Sequence, residues 1–343
     1  MGDETDFVNS PYVSVILSGI KNKEATLFLG AGCSLSSDAP STEQLVNDLK
    51  ERFRYDDPND KDLFKICQNI KDTPPYTEED LREFVNDKFK FIKPSIYIQL
   101  LPKFEWRAIF TTNYDDLVEQ AYRSSDFKKK HSVITNSSVK KIYSEDGATP
   151  IYKIMGTFSS QDPQDMPVLT RFEYDHSLRY KNEIFEHLLD IIHRGPLIFI
   201  GYSADDNFGF DALDEAISRY GRENVPYSYA IMPELPKNVT EYTRLEKRKI
   251  LPLKGSFEDF MQYLDSNLET FTSEGISHDY KLLTLREKRL LLEDRLIGNV
   301  EKFCDFLTDA KLDSEPGDMD DFFRGDNNSW AAFRENWDFQ REI

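Results

Sequence analysis

Residues 26–34, Thr-Leu-Phe-Leu-Gly-Ala-Gly-Cys-Ser, run from an apolar, strand-like stretch straight into two glycines and a hydroxyl, with a helical stretch beginning near Ser41. Glycines 30 and 32 let the chain turn sharply at a strand end and let another group approach the backbone closely. Their N–H groups, with the helix N-terminus beyond, favour an anion such as a phosphate. A strand-Gly-x-Gly turn also serves simply as a tight corner in α/β proteins, so the loop alone does not decide. Two nucleotide-binding patterns are missing: no Gly-x-x-x-x-Gly-Lys-Ser/Thr occurs, and Leu35 stands where a dehydrogenase fingerprint has its third glycine.

Three further stretches end the same way. Ile109-Phe110-Thr111-Thr112-Asn113-Tyr114-Asp115-Asp116, Ile151-Tyr152-Lys153-Ile154-Met155-Gly156-Thr157 and Leu197-Ile198-Phe199-Ile200-Gly201-Tyr202-Ser203-Ala204-Asp205-Asp206 each pass from an apolar, β-branched run to polar or glycine residues. Such continuous apolar runs suit strands buried on both faces of a parallel sheet. Open sheets of this kind bind ligands at the carboxyl ends of their strands, so four polar strand ends on one crevice are what a dinucleotide site requires.

The ordered set Gly-Ala-Gly-x-Ser, Thr-Thr-Asn-Tyr-Asp, Lys-Ile-x-Gly and Gly-Tyr-Ser resembles the sirtuin superfamily, and specifically its bacterial branch of NAD-degrading anti-phage effectors. An Asp38-Ala39-Pro40-Ser41 turn, a Val168-Leu169-Thr170 strand followed by Tyr174, and a helix over 181–194 are also similar, and the resemblance covers about residues 25–255. It implies a Rossmann-like parallel sheet and NAD+ as substrate or ligand. Gly30, Ala31, Gly32 and Ser34 would then face the pyrophosphate. Thr112, Gly156 and Gly201 would line the site, and Ser203 would bond the adenosine ribose or a phosphate. Asn113 matches the family's catalytic asparagine, whose amide, donor and acceptor at once, would hold the nicotinamide ribose and the attacking water. Read without the family, Asn113 has the lesser alternative of an Asx-turn or N-cap for a helix starting at Tyr114. Asp115 would stabilise a cationic sugar, or, like Asp116, favour the positive end of that helix.

One position departs from the family. Met155 stands where these enzymes carry the histidine that acts as general base, and a thioether takes no proton. Nicotinamide leaves as a neutral molecule and needs no acid, and a positioned base contributes about 10²–10⁴-fold, so its loss slows the reaction without forbidding it. His176, in Glu173-Tyr174-Asp175-His176, is a substitute base whose tautomer a neighbouring carboxylate would hold; otherwise it is a half-exposed helix residue. His187 and His193 read as packing or capping groups, and His131 and His278 carry no signal. Deacetylating sirtuins hold a zinc with two Cys-x-x-Cys pairs. Of the three cysteines here, Cys33 fills a variable loop position and Cys67 and Cys304 lie in helix-like patterns, so no zinc is expected.

Lys and Arg number 43 against 62 Asp and Glu, a net charge of -19 that repels phosphate backbones and argues against nucleic acid as a partner. With no apolar stretch of membrane-spanning length, no charged-then-apolar leader and few cysteines, the expectation is a cytoplasmic protein that neither enters nor crosses a membrane. The 343 residues divide into a sirtuin-like NAD-binding domain over 1–255, with a helical insertion at about 41–105 punctuated by Pro58, Pro74-Pro75 and Pro94, and a C-terminal helical region over 256–343. The insertion reads as a lid over the nicotinamide end or a purely structural layer. In the C-terminal region the Leu282, Leu283, Leu285, Leu290 and Leu291 face, and the aromatics Trp330, Phe333, Trp337 and Phe339, suit packing, self-assembly or docking on a partner such as an ATPase or sensor. Three functions follow: an NAD hydrolase switched on by a partner or by oligomerisation; a sensor or scaffold that binds NAD or ADP-ribose without turnover; and acyl or ADP-ribosyl transfer to protein, which the missing zinc pairs and base weaken.

Overall fold

The computed structural model describes residues 7–127, 129–138, 147–179, 183–202 and 208–268. The chain divides into two compact units, residues 1–10 with 16–265, and residues 11–15 with 266–343. The C-terminal leucine face and aromatics, with Cys304 and His278, lie outside the described residues. So does Ser203.

The first unit is built on a seven-stranded, wholly parallel sheet in the order β3-β4-β2-β1-β5-β6-β7. The strands are β1 (Thr26–Leu29), β2 (Ala108–Thr111), β3 (His131–Ile134), β4 (Thr149–Lys153), β5 (Leu197–Ile200), β6 (Ser228–Met232) and β7 (Ile250–Lys254). The four apolar runs that end in polar residues are adjacent, as β4-β2-β1-β5, and β1, β2 and β5 are buried at every position. The strands up to β4 fill one side of β1, in the spatial order β2, β4, β3, and the chain then crosses to the other side through β5, β6 and β7. That reversal makes the carboxyl end of β1 the switch point at which open sheets take ligands.

One aromatic from each of these four strands aligns their ends. Tyr152 stacks on Phe110 with ring centroids 4.3 Å apart, Phe110 on Phe28 at 6.3 Å, and Phe28 tilts against Phe199 at 5.2 Å. Each pair is also in register across its strands. Ring pairs add about 0.5–1.5 kcal/mol each beyond the area they bury, so the ladder holds the strand ends level three residues or fewer before the site begins.

Helices α1 (Val13–Lys21) and α2 (Thr42–Phe53) flank β1 in sequence. With α3 (Leu63–Asp72), α4 (Glu78–Phe89) and the short α5 (Ile96–Gln99), α2 forms the insertion between β1 and β2. Its helices start where the sequence supplies caps. Ser41 and Gln44 form a capping box for α2, Asp62 caps α3, and Thr77 and Asp80 form a capping box for α4. Leu45, Leu49, Phe53, Ile66, Ile70 and Leu81 give the insertion an apolar core of its own. Leu169 joins that core, and Tyr114 and Phe158 pack on it, so the insertion rests on the segments that follow β2 and β4.

Helices α6 (Leu117–Ser124), α7 (Arg171–Arg179), α8 (Glu183–Ile192), α9 (Phe208–Tyr220) and α10 (Val239–Lys247) complete the layers, and α11 (Phe257–Asn267) buries Phe257, Phe260, Met261 and Leu264. No helix among the described residues is long and apolar enough to cross a membrane. Val168-Leu169-Thr170, expected as a strand, forms none: its one ladder-like bond runs from Val168 N–H to Met155 O at 2.9 Å.

Candidate functional site

The glycine loop closes against the end of β5. Gly30 N–H donates to Ile200 O at 3.0 Å and Gly32 N–H to Gly201 O at 2.9 Å, extending the β1–β5 ladder into the loop. A Cβ on Gly30 would lie 2.3 Å from Gly201 O, one on Gly32 2.7 Å from Gly201 Cα, and one on Gly201 2.4 Å from Cys33 N. These glycines therefore allow two backbones to touch, a reason different from the ligand approach read in the sequence. The loop continues as a 3-10 turn over Ala31–Ser37, with Ala31 exposed, and leaves it through left-handed Asp38 (φ 60°) before α2. Cys33 in this loop is buried, and its thiol donates to Ile200 O at 3.1 Å. Burial pushes its thiol up, and that of Cys67 in α3 up to about 12, so neither serves as a nucleophile.

Asn113 faces this loop. Helix α6 starts at Leu117, not Tyr114, with Asp116 as its N-cap residue, and the Asn113 side chain caps nothing. Its Nδ2 donates to Gly30 O at 3.1 Å and to Ser34 Oγ at 2.9 Å. Ser34 in turn donates its single proton to Asp115 Oδ2 at 2.8 Å. Because that proton is committed, Ser34 must accept from Asn113, and two acceptors around Nδ2 settle which way the amide points. Asn113 Oδ1 is left shielded from solvent with no hydrogen-bond partner among the described residues. An unsatisfied buried acceptor costs about 1–3 kcal/mol, and a ligand hydroxyl or water would recover it. Of the donor and acceptor expected from the sequence, only the acceptor is open.

Asp115 is 6% exposed. Its Oδ1 takes Leu117 N–H at 3.2 Å in an Asx turn, its Oδ2 takes Ser34, and its main-chain oxygen takes the Lys153 ammonium. Its carboxylate is thus engaged within the protein, behind Asn113. Asp116 bonds Gln120 at 2.6 Å and Arg123 at 2.8 Å. Thr112 N–H continues the ladder to Leu29 O at 3.3 Å.

The β4 end is equally fastened. Gly156 has φ +79°, and a Cβ there would lie 2.4 Å from Met166 O, so only glycine fits. Met155 is 3% exposed and belongs to the main apolar core with Ile154, Val168 and Tyr174. Tyr114 OH donates to Val168 O at 2.6 Å. Arg82 of α4 donates to Pro167 O at 2.7 Å and pairs with Glu173, whose other oxygen takes the Leu169 and Thr170 N–H groups at 2.9 Å each. Burial pushes the Asp165 carboxyl up, but hydrogen bonds from Ser137 and Ser160 outweigh this and hold it below the usual carboxylate range.

His176 sits exposed on α7 with its ring on exposed Phe172, and Asp175 pairs with Arg171 at 3.1 Å. His187 packs on Tyr152 and His193 on Tyr220. The structure brings together Gly30, Gly32, Ser34, Asn113, Asp115 and Gly201; Met155 and Gly156 are joined to them through Tyr114 and Val168. Sequence reasoning missed Lys153, Glu119, Arg82 and Glu173. The first left a signal, as a lysine inside a buried apolar run.

A glycine loop and an unsatisfied amide at the switch point of a parallel sheet define an α/β domain of the class that takes its ligand across the strand ends. The comparisons narrow that class. The SIR2-like domain family matches residues 107–253. The NAD(+) hydrolase ThsA of Enterococcus faecium is 26% identical over 227 residues, which are 64% of this chain and 45% of that protein, so the chain spans about half the length of the curated relative it matches. Among solved structures, one described as the structural basis for sirtuin substrate affinity aligns with a TM-score of 0.42 and 13% identity. Another, of Sir2Tm bound to a propionylated peptide, aligns with 0.40 and 14%; each alignment covers 73% of this chain and 94% of the other. Residues 107–253 are thus similar to the SIR2-like domain family.

Proposed function

We propose that the domain cleaves NAD+ to nicotinamide and ADP-ribose as an effector of anti-phage defence, with its activity released by a partner or by self-assembly. The observation that carries this reading is the orphaned Asn113 Oδ1, held in one orientation at the switch point. The similarity to an NAD(+) hydrolase supports the substrate, the resemblance to the defence branch supports the role, and three cysteines in 343 residues suit a reducing cytoplasm.

In this reading the bond between the ribose C1′ and the nicotinamide nitrogen breaks with its electron pair going to the already cationic ring, so nicotinamide departs neutral. Water adds to C1′ and its proton passes to solvent. Asn113 Oδ1 accepts a hydrogen bond from that water or from a ribose hydroxyl, fixing it within reach of C1′. Ser34 and Asp115 act through Asn113 by holding its amide. The Gly30–Gly32 turn, Ala31, Thr112, Gly156 and Gly201 form the rim for the rest of the dinucleotide, the role given to Ser203 in bonding the adenosine ribose or a phosphate rests on the resemblance alone, and the C-terminal region after residue 255 serves assembly or partner docking. Met155 supplies no base, so turnover is slow.

A second reading rests on Met155 alone: a domain that binds NAD or ADP-ribose and signals without cleaving it. Nicotinamide release from NAD+ by the purified chain, dilute and concentrated, with Asn113→Ala beside it, separates the two. Release that vanishes with Asn113→Ala supports hydrolysis. Binding without release at either concentration supports the sensor, and release unaffected by Asn113→Ala overturns the site.

A further inference from the structure

The site as described leaves one buried ionic pair unused. Lys153, the last residue of β4, and Glu119, on α6, have side chains only 1% and 4% exposed, with Nζ and Oε1 3.3 Å apart. Glu119 Oε2 has no hydrogen-bond partner among the described residues, and burial pushes the Glu119 carboxyl up against the opposing pull of Lys153. Taking two charges out of water is costly, and well-packed apolar residues often do as well or better in their place. The pair is therefore poorly explained by stability.

Its one further bond points to a use. The Lys153 ammonium donates to the main-chain oxygen of Asp115. Residues 112–116, between β2 and α6, have no regular structure to hold them. From Asp115 the chain of bonds runs to Ser34 and from Ser34 to Asn113, whose open Oδ1 is useful only if the amide cannot rotate. A strand residue gripping Asp115 ties this irregular segment to the sheet.

We infer that Lys153 and Glu119 are positioning residues for the Asn113 amide: the ammonium pins the Asp115 main chain to β4, Glu119 holds the ammonium, and the constraint reaches Asn113 through Ser34. This rests on the proposed NAD+ site. Misplacing a reacting group by about 1 Å costs on the order of 100-fold in rate, and the rim contacts that bind the dinucleotide are untouched.

The test is the double variant Lys153→Met/Glu119→Leu, which removes both charges and leaves neither orphaned. It should keep its thermal midpoint within a few degrees of the parent and bind NAD+ within about threefold by calorimetry, while kcat falls on the order of 100-fold. The Asn113 side-chain NH2 signals in a nitrogen-15 NMR spectrum should lose their protection from solvent exchange. Should the double variant not fold, Glu119→Gln, which keeps shape and acceptor, should give the same pattern with a fall of about 3–10-fold, within the range for a weakened charge-assisted bond. A folded variant with unchanged kcat and a protected Asn113 amide overturns the inference. If the parent protein neither binds nor cleaves NAD+, the proposed function fails, and the NMR readout still decides whether Lys153 and Glu119 hold Asn113.

Discussion

Ser34→Ala tests the polarity of the network at the centre of the site. The hydroxyl makes two bonds, one donated to the Asp115 carboxylate at 2.8 Å and one accepted from Asn113 Nδ2 at 2.9 Å. A hydrogen bond to a charged group is worth about 1.5–3 kcal/mol, and the lost acceptor for one Asn113 proton adds about 1 kcal/mol. The second Nδ2 proton keeps Gly30 O. With Ser34 4% exposed, water does not easily replace the hydroxyl. The expected loss is about 2.5–4 kcal/mol, a fall in thermal midpoint on the order of 10 °C for a unit of this size. Urea unfolding at unchanged m reads it directly. Ser36→Ala is the control: its hydroxyl meets Ser95 Oγ at 2.9 Å in a half-buried setting and should lose no more than about 1.5 kcal/mol. A loss below about 1 kcal/mol for Ser34→Ala, or one no larger than the control's, would refute the account of Ser34 as the bridge between Asp115 and Asn113.

Gly156→Ala places a Cβ 2.4 Å from Met166 O at φ +79°; a loss of at least about 2 kcal/mol is expected from the strained backbone and the overlap together, and circular-dichroism melts showing less would mean the 156–166 loop yields easily. Met155→His puts an imidazole where the apolar core now has a thioether; burial without a partner should cost about 1–3 kcal/mol, while nicotinamide release should rise by about 10²-fold or more if only a base is missing. A stable Met155→His protein with unchanged turnover would count against that explanation. The Lys65 ammonium beside Asp60 holds its carboxyl below the usual range, despite burial. A folded-state value below the unfolded one stabilises above the unfolded value, about pH 4, and that contribution is lost as pH falls through the lower folded value. Asp60→Asn should therefore flatten the acid limb of the stability curve, and an unchanged limb would exclude this pair as a contributor.

Much of the architecture was legible because it is local. Apolar runs such as Leu197–Ile200 are buried whatever their neighbours, and Ser41, Asp62 and Thr77 cap helices within three residues of themselves. The start of α6 was misplaced because Asn113, a good cap by type, spends its amide on Gly30 and Ser34, some 80 positions away in the chain. The expected strand at 168–170 has strand-like residues, but Leu169 is drawn into the insertion core and the Arg82–Glu173 pair holds the segment as a connection.

By itself the sequence determined that four buried strands end in glycine, asparagine or hydroxyl residues, and that no proton acceptor stands at Met155, because side-chain type and alternation are properties of neighbouring residues. Only the tertiary structure decided that those four strands lie side by side, that Gly30 and Gly32 make room for Gly201 rather than solely for a ligand, and that Asp115 is turned inward. It also decided that Lys153 and Glu119 meet behind the site. Each of these depends on atoms brought together across tens to hundreds of residues by burial of the sheet and its aromatic ladder, and no local pattern encodes which partner will be there.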